Sequence, residues 1–240
     1  MNGISEASRW LQGSVKVEIY SDVVCPWCYI GHIRFARAVE RYRAKGGEVE
    51  VELRPFQLDP SAESTGAPLL EWAAAKFGGV ERAEQMFGHV TTTAAGDGLE
   101  MDFGHAVHAN TFDAHRLVRL AGEQGKGEEA LYRLFAAHFT DGLDVGSREV
   151  LAKIAAELGV EADLDGQDGV SAVREELSRA RALGVGSVPL FLFEGQFAVS
   201  GAQPEDALFA ALEEVAQRTG QAPAERAGGE ACDDDGYCAV

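Results

Sequence analysis

The chain has 240 residues, 46% hydrophobic and 25% charged, which is enough length and apolar content to bury a core without disulfide or metal staples. Its 39 acidic and 21 basic side chains leave a formal net charge of −18, and no Lys/Arg stripe opposes that field, which excludes nucleic acid as a partner. No apolar run nears the roughly 18 residues of a membrane span, and MNGISEASRWLQGS lacks a basic stretch followed by an apolar one, so no membrane partner is expected and the expected compartment is the cytoplasm.

In chain order, VKVEIY (Val15 to Tyr20) alternates apolar and charged residues with the period of a strand. From Pro26 the period changes, with Ile30, Ile33, Ala36 and Val39 at helical spacing and Gly46-Gly47 closing the helix. EVEVELRPF alternates again, so residues 15 to 55 read as a βαβ unit. Between Pro68 and Gly159 five helical stretches follow, LLEWAAAKF, VERAEQMFGHV, NTFDAHRLVRLAGEQG, EEALYRLFAAHF and SREVLAKIAAELGV, with Asn110 and Ser147 expected as N-caps. SAVREELSRARALGV is another helix. PLFLF and FAVSG form a hairpin around Glu194-Gly195-Gln196. PEDALFAALEEVAQRTG closes the fold, with Pro204 and acidic residues where a helix start favours them. From Gln221 the chain loses periodicity and is expected to be a flexible, acidic tail carrying Cys232 and Cys238.

A reducing compartment makes structural disulfides rare, so the four cysteines read as reactive or metal-binding thiols. In YSDVVCPWCYIG, Cys25 falls at the start of a helix, where free backbone N–H groups and the macrodipole stabilise a thiolate. Cys28 follows one turn later, within reach of a mixed disulfide on Cys25. Pro26 is tolerated in the first turn, and Trp27 adds no charge. Cys25 is therefore the candidate nucleophile and Cys28 the resolving thiol. Two other readings remain: an inert buried pair, and half of a zinc site completed by Cys232 and Cys238, for which the acidic tail would have to fold back. A C-x-x-C beside a βαβ unit is the pattern of a thioredoxin-like redox motif. The expected class is α/β. Residues 1–60 and 168–220 form a split thioredoxin-like domain, 61–167 a large all-helical insertion, and 221–240 the tail.

SDVVCPWCYIG, NTFDAHRLVRLA and GVGSVPLF together resemble the DsbA family of thioredoxin-fold proteins with a helical insertion, and within it the FrnE-like branch, over roughly Val15 to Gly220. The C-x5-C of Cys232 and Cys238 looks like the extension of the Deinococcus-type FrnE proteins. The resemblance implies thiol–disulfide oxidoreductase or isomerase activity without a cofactor or metal. It also implies a cis Val188-Pro189 bond that presents backbone to an extended substrate, next to Pro26 and Trp27. Protein thiols and disulfides are the implied substrates, with glutathione or a thioredoxin system as electron source. The family prototype carries CPHC and is exported; CPWC in a glutathione-poised cytosol points instead to reductase and isomerase work.

Three carboxylates between Cys232 and Cys238 disfavour their thiolates, so this pair is expected to donate electrons to a Cys25–Cys28 disulfide or to shield it, unless the two are incidental tail thiols. His105 and His108 lack a companion ligand and are expected in surface or packing roles. His115 faces either the cleft or a helix contact. Asp22 and Glu18 are candidate proton acceptors for Cys28, against a reading of both as solvated strand-end carboxylates. Two competing functions remain. A glutathione-dependent isomerase or transferase of the 2-hydroxychromene-2-carboxylate isomerase type needs no resolving thiol, and the other possibility is a non-enzymatic thiol or metal-binding module.

Overall fold

A computed structural model describes residues 13–223, and Cys232 and Cys238 lie outside that range. Strand β1 (Val15–Ser21) leads into helix α1 (Pro26–Ala44) and back to β2 (Val49–Pro55). Five helices follow: α2 (Leu69–Phe77), α3 (Val80–Gly96), α4 (Phe112–Glu123), α5 (Gly127–Phe139) and α6 (Arg148–Leu158). The chain then returns through α7 (Val170–Ala182), the hairpin strands β3 (Leu190–Phe193) and β4 (Phe197–Ser200), and α8 (Glu205–Thr219). The strand order is β2-β1-β3-β4; β1 and β2 are parallel and the other pairings antiparallel. This is a thioredoxin-like α/β fold with a helical insertion.

The register of β1 with β3 places Tyr20 opposite Leu190, so the end of β1 and the start of β3 meet at one edge of the sheet. That edge is where the C-x-x-C turn leaves β1, and the Val188–Pro189 bond beside it is cis. Residues 163 apart in the sequence, Cys25 and Val188, are thereby brought to one spot. The alternation read in β1 has a direct cause: Val15, Val17 and Ile19 face Phe35, Val39, Phe191, Phe193, Leu208 and Leu212 in one apolar core. On the opposite face Glu18 is held by Arg54 at 2.7 Å and Arg179 at 2.8 Å.

Packing of the insertion forms a second core around Leu117, Leu131, Leu134, Phe135, Phe139 and Ile154, and this core also contains Val23, Cys25, Cys28 and Ile30. Helix α1 therefore serves both, its first turns packing on the insertion and its later turns on the sheet and α8. Arg34 bridges the parts, donating from Nε to Asp97 Oδ2 at 2.9 Å and from Nη1 to the Ala202 carbonyl at 2.7 Å.

The expected caps differ in detail. Thr111, not Asn110, occupies the N-cap of α4. Asn110 sits one residue earlier, where its Oδ1 accepts from the Phe112 amide at 2.9 Å while its Nδ2 donates to the Ala62 carbonyl at 2.9 Å. The short side chain thus serves a turn and a distant loop together. Ser147 does stand at the N-cap of α6, without a side-chain hydrogen bond to it.

Candidate active site

The site begins with a tight turn at the end of β1, where the Cys25 N–H donates to the Asp22 carbonyl at 3.0 Å. Cys25 is the N-cap residue of α1, in extended backbone, with Pro26 in the first turn and no acidic side chain there. The Cys25 carbonyl accepts from the Cys28 and Tyr29 amides at 3.0 and 3.3 Å, the first hydrogen bonds of the helix. This geometry carries both sulfurs to the same face. It also directs the Cys25 thiol toward the Val188 carbonyl oxygen, 3.7 Å away.

The two thiols are free and unequal. Cys25 is 4% exposed and Cys28 is 0% exposed. Burial pushes the Cys28 thiol well up from its ordinary value, with the Cys25 sulfur beside it and the Asp22 carboxylate adding to the rise. Cys28 is thus held in its protonated form while Cys25 borders open space.

That space is a cavity of about 360 Å³ walled by Trp27, Leu58, Trp72, Phe87, Phe103 and Val188. Pro26 and Cys25 also line it, so the residues expected to surround a substrate, Pro26, Trp27 and Val188, are brought together. Pro189 packs instead against α1. A Cβ on Gly31 would lie 2.8 Å from the Pro189 ring, so glycine is what lets the loop approach the helix. His108 stacks on Trp72 with ring centroids 4.5 Å apart, and burial lowers its pKa. His105 pairs instead with Asp102 on the surface, so the two histidines do not share a site.

A model of the DSBA-like thioredoxin domain matches residues 16–213. The chain belongs to that family. It is similar to the crystal structure of a probable DsbA oxidoreductase from Streptomyces coelicolor, at 34% identity and a TM-score of 0.78, over 94% of this chain and 99% of that one. The YwbO protein of Bacillus subtilis (strain 168) is 29% identical over 80% of this chain and 93% of its own length. The cytosolic disulfide reductase DsbM of Pseudomonas aeruginosa shares the fold, with 22% identity, a TM-score of 0.56, and coverage of 85% of this chain and 99% of that one.

Within this DSBA-like framework the buried polar groups correct the sequence reading. Asp22 is not a solvated strand-end carboxylate: it is 1% exposed, because the chain after β2 covers it and the Leu58 amide donates to its Oδ2 at 2.8 Å. Its Oδ1 lies 3.3 Å from His115 Nε2, whose N–H is directed at the Phe56 carbonyl at 2.9 Å. Oδ1 itself receives no hydrogen bond. Glu18, the other candidate acceptor, is committed to Arg54 and Arg179. His115, 5% exposed, therefore faces the acid beneath the dithiol as well as filling a helix contact. In the sequence only its place in NTFDAHRLVRLA marked it, and Gly31 was marked only by its place in CYIG.

Proposed function

We propose that this DSBA-like chain is a thiol–disulfide oxidoreductase that reduces and reshuffles disulfides in other proteins of the cytoplasm, with Cys25 as nucleophile and Cys28 as resolving thiol. The observation that carries this reading is the asymmetry of the pair: one sulfur stands at a helix start on the wall of a cavity, and the other is wholly buried and kept protonated. The Cys25 sulfur, as the thiolate that exchange requires, attacks one sulfur of a substrate disulfide; that S–S bond breaks, a mixed disulfide forms on Cys25, and the other substrate sulfur leaves as a thiolate and takes a proton. Cys28 then gives its proton to Asp22 and attacks the Cys25 sulfur, releasing the second substrate thiolate. The substrate gains two electrons and Cys25–Cys28 becomes a disulfide. When a substrate thiolate resolves the mixed disulfide first, the result is isomerisation, and no net electrons move.

Among the described residues the cavity walls are mostly apolar and aromatic, which suits the apolar flank of a protein disulfide. Glutathione or a thioredoxin system then returns the pair to its reduced form. The FrnE-like reading rests on the likeness of SDVVCPWCYIG, NTFDAHRLVRLA and GVGSVPLF, and its Deinococcus-type form on the spacing of Cys232 and Cys238, the pair that would pass electrons to Cys25–Cys28. Reduction of insulin and refolding of a scrambled disulfide substrate test the function directly. The Cys28→Ser variant should stall as a Cys25 mixed disulfide and lose net reduction. Glutathione-dependent isomerisation of a small molecule that survives in Cys28→Ser, with no protein disulfide exchange in the wild type, would replace this reading by the glutathione isomerase one.

A further inference from the structure

Forming the Cys25–Cys28 disulfide frees a proton in a nearly closed part of the protein, since Cys28 is 0% exposed and Asp22, although it contributes to the wall of the cavity at Cys25, is only 1% exposed. An ionised carboxylate left uncompensated in such surroundings is costly unless a counter-charge faces it or it takes up a proton. The charge on Asp22 must therefore be balanced in each redox state. His115 is placed to do this. Its Nε2 lies 3.3 Å from Asp22 Oδ1, and the same residue lines a second cavity of about 430 Å³ that shares no lining residue with the one at Cys25.

Resting on the dithiol reading, we infer that His115 exchanges the redox-linked proton with solvent through this rear cavity. In the reduced form Cys28 is a thiol, Asp22 a carboxylate and His115 an imidazolium. On oxidation Asp22 keeps the proton taken from Cys28, and His115 releases its Nδ1 proton into the rear cavity. The cluster is neutral before and after, and reduction by an external thiol runs the same transfers backward. The Nε2 proton never leaves. It stays on Nε2, donated to the Phe56 carbonyl, and keeps the ring in place.

Other groups around these two do not offer the route. Asp22 is faced by Cys25 at the N-cap of α1 and Cys28 in its first turn, by His115 from α4 and, at longer range, by His138 from α5. His138 is 0% exposed, lines neither cavity and has a pKa lowered to about 4 by burial, so it stays neutral at physiological pH. His32 is spent on Ser21 Oγ at 3.2 Å and is likewise lowered to about 4 by burial. Around the rear cavity, the charged groups that share the wall with His115 are Glu52 and Arg54 from β2, Arg119 and Glu123 from α4, Glu128 from α5 and Glu176 from α7. Arg54 and Arg119 both pair with Glu176 at 3.2 Å, which draws their charge away from the imidazole.

Nitrogen NMR of the histidine rings in the wild-type protein tests the inference at neutral pH, comparing the reduced and disulfide forms. His115 should show two ring N–H groups when the pair is reduced and one, at Nε2, when it is oxidised; the same ring protonation in both forms overturns the proposal. A second arm uses His115→Gln, whose amide can still donate to the Phe56 carbonyl but cannot titrate. Collapse of the Cys25 mixed disulfide should slow by at least about tenfold and lose its pH dependence between about pH 5 and 8, where an imidazole titrates. An unchanged rate and pH profile in that variant sinks the inference alone, whereas a wild type that exchanges no disulfides sinks the dithiol reading and the inference together.

Discussion

The two cores differ in what they enclose. The core beneath the sheet, built on Val17, Ile19, Phe191, Phe193 and Leu212, gathers apolar side chains and Tyr42. The core of the insertion holds both thiols of the C-x-x-C and is bordered by Asp22, His32, His115 and His138. A dry core of the first kind specifies a shape. The second kind also sets protonation states, because the burial that packs Phe135 and Leu134 removes the water that would solvate a Cys28 thiolate. The insertion is thus one wall of the candidate site. Helix α1 is the element that both cores hold in place.

The sharpest way to break this comparison is to remove an equal ring from each side. Phe135 stacks on Tyr29, next to Cys28, with centroids 4.8 Å apart and planes 9° apart, while Phe193 packs on Phe35 in the sheet core. Phe135→Ala and Phe193→Ala should each lower unfolding free energy by about 3–5 kcal/mol in denaturant titrations. If the cores differ as described, the folded fraction of Phe193→Ala retains its insulin-reduction rate, and that of Phe135→Ala does not. Equal rates per folded molecule would show that the insertion core does not tune the thiols.

Protonation gives the next largest effect. Burial lowers His32 and His138 to about 4 from 6.5, so both are neutral in the folded protein. As pH falls from about 6.5 to about 4 the unfolded chain takes up protons that the folded chain refuses, and stability is lost through that window, on the order of 3 kcal/mol for each histidine. Above 6.5 this cost is absent. Thermal melts across the window should show the decline, and His138→Leu should remove about half of it. The sheet core contributes no such slope.

The smallest expected effect sharpens the boundary between the cores. Gly31→Ala places a methyl 2.8 Å from the Pro189 ring, a rigid neighbour that has to shift. The cost should be about 1–3 kcal/mol in a denaturant melt, with the Val188 carbonyl displaced from Cys25 and exchange slowed more than stability alone explains. Wild-type exchange in this variant would mean the loop's position is not critical.

Much of the architecture was legible because it is written in local periods. The alternation of VKVEIY, the helical spacing after Pro26, the five helices between Pro68 and Gly159 and the hairpin around Gly195 all appear where the patterns put them. The C-x-x-C could be read for a similar reason, since its place at a strand-to-helix junction is a local signal, whereas the cis bond before Pro189 was legible only through the family resemblance of GVGSVPLF. Asn110 misled by one residue because a side chain that can cap a helix can equally close a turn. Asp22 misled more deeply. Its position at a strand end suggests solvent, and only the passage of Phe56 to Leu58 over it, together with α4 against it, takes the water away.

By itself, then, the order of residues determined the strands, the helices and the spacing of the two sulfurs, since each depends on dihedral preference and apolar period within a few neighbours. Tertiary structure alone decided which thiol is sealed and which borders a cavity, that Asp22 and His115 meet, and that Gly31 must be bare beneath Pro189. Those properties depend on distances between residues far apart in the chain, and on how much water remains between them once both cores have closed.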